Sequence, residues 1–119
     1  MGKWTKVSSE EKHKLAGRLR AALRGRKGVT EKGMFGGICF LLKSNMLCGT
    51  GSGRFMFRVG KEAHATAITR RGAQPMVMRG RTMEGFIWVD PDACDARSLK
   101  AWIGLATDYV GGLPPKKKR

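Results

Sequence analysis

The residues most able to do chemistry in this chain are three cysteines and two histidines. Cys39, Cys48 and Cys94 form no C-x-x-C pair, and an odd number of widely spaced cysteines argues against a disulfide framework and against a zinc site. His13 and His64 each stand alone in a stretch of helical composition, so the sequence supports neither a Cys-His pair nor a histidine metal site. We therefore expect reduced thiols, no catalytic residue, no metal site and no cofactor.

Two glycine-rich stretches and one acidic cluster offer further candidate sites. Residues 25–28 match the G-x-x-G loop of KH domains, but that loop joins two helices, and the residues after 28 are typical of a strand, so a helix end is favoured. Residues 49–53 suggest a phosphate loop, yet no Lys-Ser/Thr pair or helix follows, which favours a hairpin connection. Asp90, Asp92 and Asp95 have no Glu or His beside them and are predicted to form a turn and cap the last helix.

Positive charge is the strongest functional signal. The 119 residues contain 24 Lys and Arg against 9 Asp and Glu, a formal net charge of +15, and most of these cations lie outside the basic C-terminal run. Such an excess is typical of domains that contact nucleic-acid phosphates. No helix-turn-helix, zinc-finger or RNP aromatic pattern is present, so base-specific recognition is not expected. The side chains predicted to contact nucleic acid are Lys14, Arg18, Arg20, Arg24, Arg26 and Lys27, with Arg54 and Arg58 as a second set.

Three helices are predicted to position these side chains. Ser8 and Glu11 form a capping box at the start of the first helix, which runs to about Arg24 with an apolar stripe opposite its basic side. A second helix is predicted over residues 61–71, and a third over residues 96–110 with Asp95 as N-cap. The predicted core stripe of the third helix is Leu99, Trp102, Ile103, Ala106, Tyr109 and Val110.

Between and after these helices the composition changes to short β-type segments separated by Gly, Ser and Asn. The predicted strands are residues 31–35, 38–43, 46–49, 54–59, 77–79 and 86–89. Residues 80–85 are predicted to be a loop. In the fourth strand Phe55 and Phe57 alternate with Arg54 and Arg58, so the arginines are expected on the face opposite the core.

An ordered series of short motifs resembles the N-terminal domain of the TfoX/Sxy family. The series begins with Met34, Phe35, Gly36 and Gly37 and extends over most of the chain to Lys116. Its later members include Phe40, Asn45-Met46, Cys48-Gly49, Arg58-Val59-Gly60, Pro75-Met76, Gly80-Arg81, Met83, Gly85, Val89-Asp90-Pro91, Leu99, Trp102 and Leu113-Pro114-Pro115.

The resemblance implies an α+β fold of two layers, in which an antiparallel β-sheet packs against N-terminal, middle and C-terminal helices. It also implies a bacterial cytoplasmic protein. Competence regulators of the family carry a further C-terminal helical domain, and this chain ends where that domain would begin, so we expect the stand-alone N-terminal form. One domain is predicted over residues 8–113, between an N-terminal arm at 1–7 and a basic tail at 114–119. No secretory leader or membrane span is expected, since the longest apolar run is far below the ~18 residues that a span needs.

The family motif is predicted to be mainly structural. Met34, Phe35 and Phe40 are expected to be core contacts, and Gly36 and Gly37 to form a bulge or turn with unusual backbone angles. The remaining family positions expected to be structural are Gly80, Gly85 and Trp102.

The loop at 80–85 is the candidate protein-interaction surface. It carries Arg81 between Met76 and Met83, and methionine is adaptable while arginine is frequent at interfaces.

Three functions are compatible with these features. The first is a non-enzymatic regulatory or adaptor domain in transcription, which contacts nucleic acid or a transcription-related protein. The second is a protein-interaction module that binds an acidic partner and has no role with nucleic acid. The third is an RNA-modifying enzyme, against which stands the lack of a nucleophile-base pair, metal set or cofactor loop. The sequence leaves the oligomeric state open.

Overall fold

The computed structural model describes residues 9–34, 37–51 and 53–114. The predicted arm at 1–7, Ser8, Phe35, Gly36 and tail residues 115–119 lie outside this range, as do the side chains of Glu11 and Met34. The helices are α1 (Ser9–Ala22), α2 (Lys61–Ala67) and α3 (Ala96–Val110), with a 3-10 turn at Pro91–Ala93. The strands are β1 (Val29–Met34), β2 (Gly37–Leu42), β3 (Asn45–Gly51), β4 (Arg54–Arg58), β5 (Ala73–Met78) and β6 (Arg81–Val89).

The six strands form one antiparallel sheet in the order β1-β2-β3-β4-β6-β5. The first four are consecutive neighbours, which confirms the predicted meander. Helix α2 then carries the chain past the position of β6, so that β5 becomes the edge strand and β6 returns between β4 and β5. The predicted α+β fold is confirmed.

Side-chain alternation places all three helices on one face of the sheet. Phe55 and Phe57 in β4 are fully buried and pack in one cluster with α1, α2 and α3 residues. Trp102 of α3 stacks on Phe57 with ring centroids 5.5 Å apart and planes 16° apart. The predicted core stripe of α3 is buried, except that Tyr109 is 37% exposed. That prediction is wrong for Tyr109 because its ring lies against Gly60 at the rim of the core.

The acidic cluster forms the predicted turn and cap. Asp90 Oδ1 accepts a hydrogen bond from the Asp92 N–H at 3.0 Å, and Asp95 Oδ1 accepts one from the Ser98 N–H at 2.8 Å. The hydrogen bond from Ser98 holds the pKa of the Asp95 carboxyl below its ordinary value. Helix α3 therefore begins where the sequence predicts it, with a carboxylate at its positive end.

The last two strands differ most from the prediction. Residues 80–85 are not a loop: β6 begins at Arg81, and Arg79 and Gly80 make a two-residue hairpin turn with φ of 54° and 76°. Strand β5 begins at Ala73 rather than at residue 77, because α2 ends at Ala67 instead of residue 71. Two consecutive left-handed residues match the twist of a tight hairpin, so a short turn replaces the predicted loop.

Gly37 and Gly85 lie where backbone atoms of other residues come too close to leave room for a side chain. A Cβ on Gly37 would overlap the Thr50 carbonyl, although its φ is not in the left-handed region, and the β2–β3 bulge lies at Phe40 and Leu41. The prediction of a bulge with unusual angles is therefore wrong for Gly37. Gly85 has φ 93°, and a Cβ there would come within 3.0 Å of the Gly60 carbonyl carbon.

His64 completes the contacts around Gly85. The Gly85 N–H donates to His64 Nδ1 at 3.0 Å, and the Gly85 carbonyl accepts from the N–H groups of Val59 and Gly60. Through this hydrogen bond the buried imidazole joins α2 to β6.

Candidate nucleic-acid interface

The face of the sheet opposite the helices is the most distinctive surface of the domain. One row of cross-strand partners runs over all six strands on this face. The row consists of Lys32, Cys39, Gly49, Met56, Trp88 and Gln74. Met56 alternates with the core residues Phe55 and Phe57, so none of the three described helices covers this row. We call it the open face, although Cys39, Gly49 and Met56 in its middle are buried.

Arg54 and Trp88 form a stacked pair on the open face. The guanidinium carbon of Arg54 lies 4.3 Å from the centroid of the Trp88 ring, within the range of a cation–π contact. Arg54 Nη1 also donates to Gln74 Oε1 at 3.3 Å, which orients the guanidinium. A Cβ on Gly51 would come within 3.2 Å of Trp88 Cη2, so a glycine in β3 leaves the space that the indole occupies.

Arg58 is held in a second aromatic contact further along β4. Its guanidinium carbon lies 5.6 Å from the ring centroids of both Phe86 and Tyr109. Its Nη1 donates to the Met46 carbonyl oxygen at 3.5 Å. Arg54 and Arg58, which the sequence predicts on this face, are therefore each half-buried, with an aromatic ring against the guanidinium group.

Acidic side chains limit the positive region at the Arg58 end. A groove of about 690 Å³ opens there between β4, β6, α2 and α3. Its lining includes Glu62, Glu84 and Asp108 beside Lys61 and Arg58. The mixed charge makes this groove a poor site for a polyanion, so the positive part of the open face lies toward Arg54.

The first predicted set of cations lies on the other layer of the molecule, and its members differ in exposure and in contacts. Lys14, Arg24, Arg26 and Lys27 are exposed in and after α1. Arg20 is exposed but forms a two-pronged ion pair with Glu31, with both N···O distances 2.7 Å. This pairing lowers the pKa of the Glu31 carboxyl and raises that of the Arg20 guanidinium.

Arg18 is placed differently from the prediction. It is half-buried, its guanidinium donates to the carbonyl oxygens of Pro91 and Cys94, and its Cζ lies 5.0 Å from the Phe55 ring. The prediction that Arg18 lies on the exposed basic side is therefore wrong. Its position on the helix, near the edge of the apolar stripe, lets the long side chain reach across the core rim.

The candidate protein-interaction surface is a protruding hairpin rather than a loop. Arg81 and Met83 are exposed in β6, and Met76 is half-buried in β5. Two neighbours missed by the sequence analysis, Val77 and Met78, are 55% and 53% exposed. β4 pairs with β6 only from Phe86 to Val89. Residues 81–84 of β6 therefore pair with β5 alone and have no third strand beside them. We call residues 76–84 the hairpin tip.

Phe86 and Trp88 were also missed by the sequence analysis, although a signal for them was present. Ile87 and Val89 are fully buried, so Phe86 and Trp88, which alternate with them along the strand, must face the other way. The same period-2 argument that located Arg54 and Arg58 in β4 locates the two aromatic side chains in β6.

The cysteines offer no reactive thiolate. All three are free and buried, and burial raises the thiol pKa of Cys39, Cys48 and Cys94. Cys39 lies opposite Gly49 on the open face, whereas Cys48 packs in the core with Phe40, so the two thiols point to opposite sides of the sheet.

Neither a metal-binding cluster nor a membrane-spanning helix is found in the part of the chain that the structure describes. Within residues 9–34, 37–51 and 53–114, no three His, Cys, Asp or Glu side chains come together in a group that could hold a metal ion. No helix in the described part of the chain is long and apolar enough to cross a membrane.

Comparison with known proteins gives one family. The family model of the TfoX N-terminal domain matches residues 21–109, which include all six strands and most of α3. Neither the comparison with curated proteins nor the comparison with solved structures finds a match.

Proposed function

Because the chain belongs to the TfoX N-terminal domain family, we propose that it is a regulatory domain of transcription that has no enzymatic activity and binds nucleic acid through its basic surface. Family membership supports the regulatory role. The support for nucleic acid comes from charge and from the open face.

The observation that carries this proposal is the lack of neutralising partners for the positive charge. The chain has 24 basic against 9 acidic side chains, and in the described residues the Arg20–Glu31 pair is the single salt bridge. Exposed guanidinium and ammonium groups without carboxylate partners repel one another, and a polyanion that brings phosphates to them releases its own counterions. Both effects favour binding.

The experiment is a fluorescence anisotropy titration of the purified protein against labelled duplex DNA, single-stranded DNA and RNA. Nonspecific nucleic-acid binding has a Kd of about 10⁻⁴ to 10⁻⁶ M at physiological salt, and we expect values in or below this range. An unchanged anisotropy for all three ligands up to about 10⁻⁴ M protein would refute the proposal.

A second function has an observation of its own. Three of the four large apolar side chains that are exposed in the described residues, namely Val77, Met78 and Met83, lie on the hairpin tip. Arg79 and Arg81 lie between them, so this surface combines apolar contacts with positive charge. Such a combination suits an acidic protein partner, here one connected with transcription. The hairpin tip and the open face are separate surfaces, and the two functions are compatible with each other.

A further inference from the structure

We propose that a nucleic-acid duplex docks through its phosphates on one end of the domain, where the turn between α1 and β1 meets the turn between β2 and β3. This inference rests on the proposed function and adds the site and the form of the nucleic acid. We call the exposed cations of these two turns the basic pole, which consists of Arg24, Arg26, Lys27 and Lys43.

The positive charge of the chain is concentrated in the elements that carry this pole. Residues 12–61, which form most of α1 and all of β1 to β4, contain 12 Lys and Arg against one acidic residue, Glu31. Residues 62–114, which form most of α2 and all of β5, β6 and α3, contain six Lys and Arg against six Asp and Glu. A polyanion is therefore attracted to the part of the molecule that α1 and the first four strands build.

Several cations of residues 12–61 already contact other groups of the protein. Arg20 is paired with Glu31, and Arg18 donates to backbone carbonyl oxygens at the rim of the core. The guanidinium groups of Arg54 and Arg58 lie against aromatic rings. The basic pole differs, because its four side chains are exposed and form no salt bridge within the described residues. Their charges are available to a ligand.

A backbone hydrogen bond joins the two turns of the basic pole. The Lys43 N–H donates to the Gly28 carbonyl oxygen at 3.0 Å. A Cβ on Gly28 would lie 3.8 Å from Lys43 Cγ, so the aliphatic stem of the lysine packs beside this glycine. Gly25 and Gly28 have φ of 88° and 82° and enclose Arg26 and Lys27 in a tight turn. The fold therefore places Lys43 beside cations that are distant from it in the sequence.

The acidic side chains of the groove lie on another part of the molecule. The groove is bounded by β4, β6, α2 and α3, and its carboxylates belong to Glu62, Glu84 and Asp108. The basic pole lies at the start of β1 and the end of β2, and β3 separates these strands from β4 and β6 in the sheet. The groove carboxylates therefore do not line the surface that a phosphate backbone would contact.

The chemistry of the basic pole favours a duplex over a single strand. The large apolar side chains that are exposed in the described residues all lie outside residues 12–61, and they are Val77, Met78, Met83 and Tyr109. The pole thus offers no exposed aromatic ring to unpaired bases, and phosphates are what it can bind without regard to sequence. A duplex carries one negative charge per about 1.7 Å of its axis, twice the density of one strand, so clustered cations neutralise more phosphates on it.

The salt dependence of duplex affinity tests the basic pole in the full chain. The double variant Arg26→Gln, Lys43→Gln removes one cation from each turn, so the slope of log K against log salt should become less steep by about 1.8. Between about 50 and 200 mM salt, this variant should lose ~10-fold less affinity than the wild type. The matched control Arg97→Gln, Lys100→Gln removes two exposed cations from α3 and should keep the wild-type slope within about 0.5.

A charge-conserving variant separates charge from shape. Arg26→Lys, Lys43→Arg keeps both cations in place, so it should show the wild-type slope if phosphates are bound as point charges. Thermal unfolding of each variant checks that it is folded.

Lysine acetylation locates the contact on the wild-type protein. A saturating duplex should slow acetylation of Lys27 and Lys43, measured by mass spectrometry, and leave Lys100 at the rate of the free protein. Unchanged rates at Lys27 and Lys43 with the duplex bound would place the contact elsewhere.

Four other results would overturn the inference. An equal loss of slope in the pole variant and the control would leave the proposed function intact but exclude a localised site. Affinity for a single strand of the same length that equals the duplex affinity would exclude the duplex as the preferred occupant. Tighter binding of polyglutamate with the same number of charges would make an acidic protein the occupant. Absence of binding to every nucleic acid would refute the proposed function together with this inference.

Discussion

Arginine side chains in this domain have three different roles that sequence alone does not separate. Arg18 crosses the rim of the core and bonds to the carbonyl oxygens of Pro91 and Cys94. Arg20 is paired with Glu31 on the surface, a type of contact that contributes little to stability. Arg54 stacks on Trp88 and stays partly exposed. The partner of each guanidinium decides whether its charge is available to a ligand.

This division predicts opposite effects for two arginines of the first predicted set. Arg18→Met keeps the apolar stem but removes hydrogen bonds from a charged donor, so the free energy of unfolding should fall by about 1–3 kcal/mol. Arg24→Met removes an exposed cation and should change stability by less than about 0.5 kcal/mol. Urea denaturation of both variants measures the difference.

The same pair of variants should behave in the reverse way in a binding assay. Arg24→Met should weaken duplex binding and make its salt dependence less steep, because an available cation is lost. Arg18→Met, measured under conditions where it is fully folded, should bind as the wild type does. If Arg18→Met were stable but impaired in binding, our assignment of its guanidinium to the core rim would be incorrect.

At the scale of elements, β6 has two distinct parts. From Phe86 to Val89 it is a central strand between β4 and β5, with Ile87 and Val89 in the core. From Arg81 to Glu84 it is exposed and forms the hairpin tip with β5. Gly85 separates the parts, held by His64 and by the N–H groups of Val59 and Gly60. The central part of β6, paired on both sides, joins the hairpin tip to the rest of the sheet.

The hairpin tip predicts a salt-resistant protein contact. We expect an acidic partner that co-purifies with the wild-type chain to stay bound at about 0.5 M salt, where a Debye length of a few ångström removes long-range attraction. The double variant Val77→Thr, Met78→Thr keeps strand propensity but removes exposed apolar surface, so it should release the partner. Lys100→Gln is the control that should retain it. Retention by the double variant would exclude the tip as the contact.

The elements themselves are largely predictable from the sequence. Alternation in β4 and the cap at Asp95 lead to the correct strand face and the correct bounds of α3. The start of β6 is not predictable in the same way, because Thr82, Met83 and Glu84 sit between two glycines and look like a loop. Their strand conformation depends on the turn at Arg79 and Gly80, where a non-glycine residue adopts a φ of 54°. Pairing with β5 stabilises the strand conformation of these three residues, which their local sequence does not favour.

At the scale of the whole molecule, two predicted sets of cations lie on opposite sides. The exposed cations of α1 belong to the helical layer, Arg54 belongs to the open face, and the Arg58 guanidinium reaches the groove beside α3. From the sequence the two sets cannot be told apart, because a count of charges does not show whether a side chain lies on the helical layer or on the sheet. The topology β1-β2-β3-β4-β6-β5 places Trp88 beside Met56, and that crossover could not be inferred from local pattern.

The central claim is that the folded domain, and not the basic tail, binds nucleic acid phosphates. The most direct test is the salt dependence of duplex affinity for a chain shortened after Pro115. Each phosphate contact contributes about −0.9 to the slope of log K against log salt. We predict a slope of about −3 or steeper that matches the full chain within one contact. A slope near zero for the shortened chain, with a steep slope retained only by the full chain, would contradict the account.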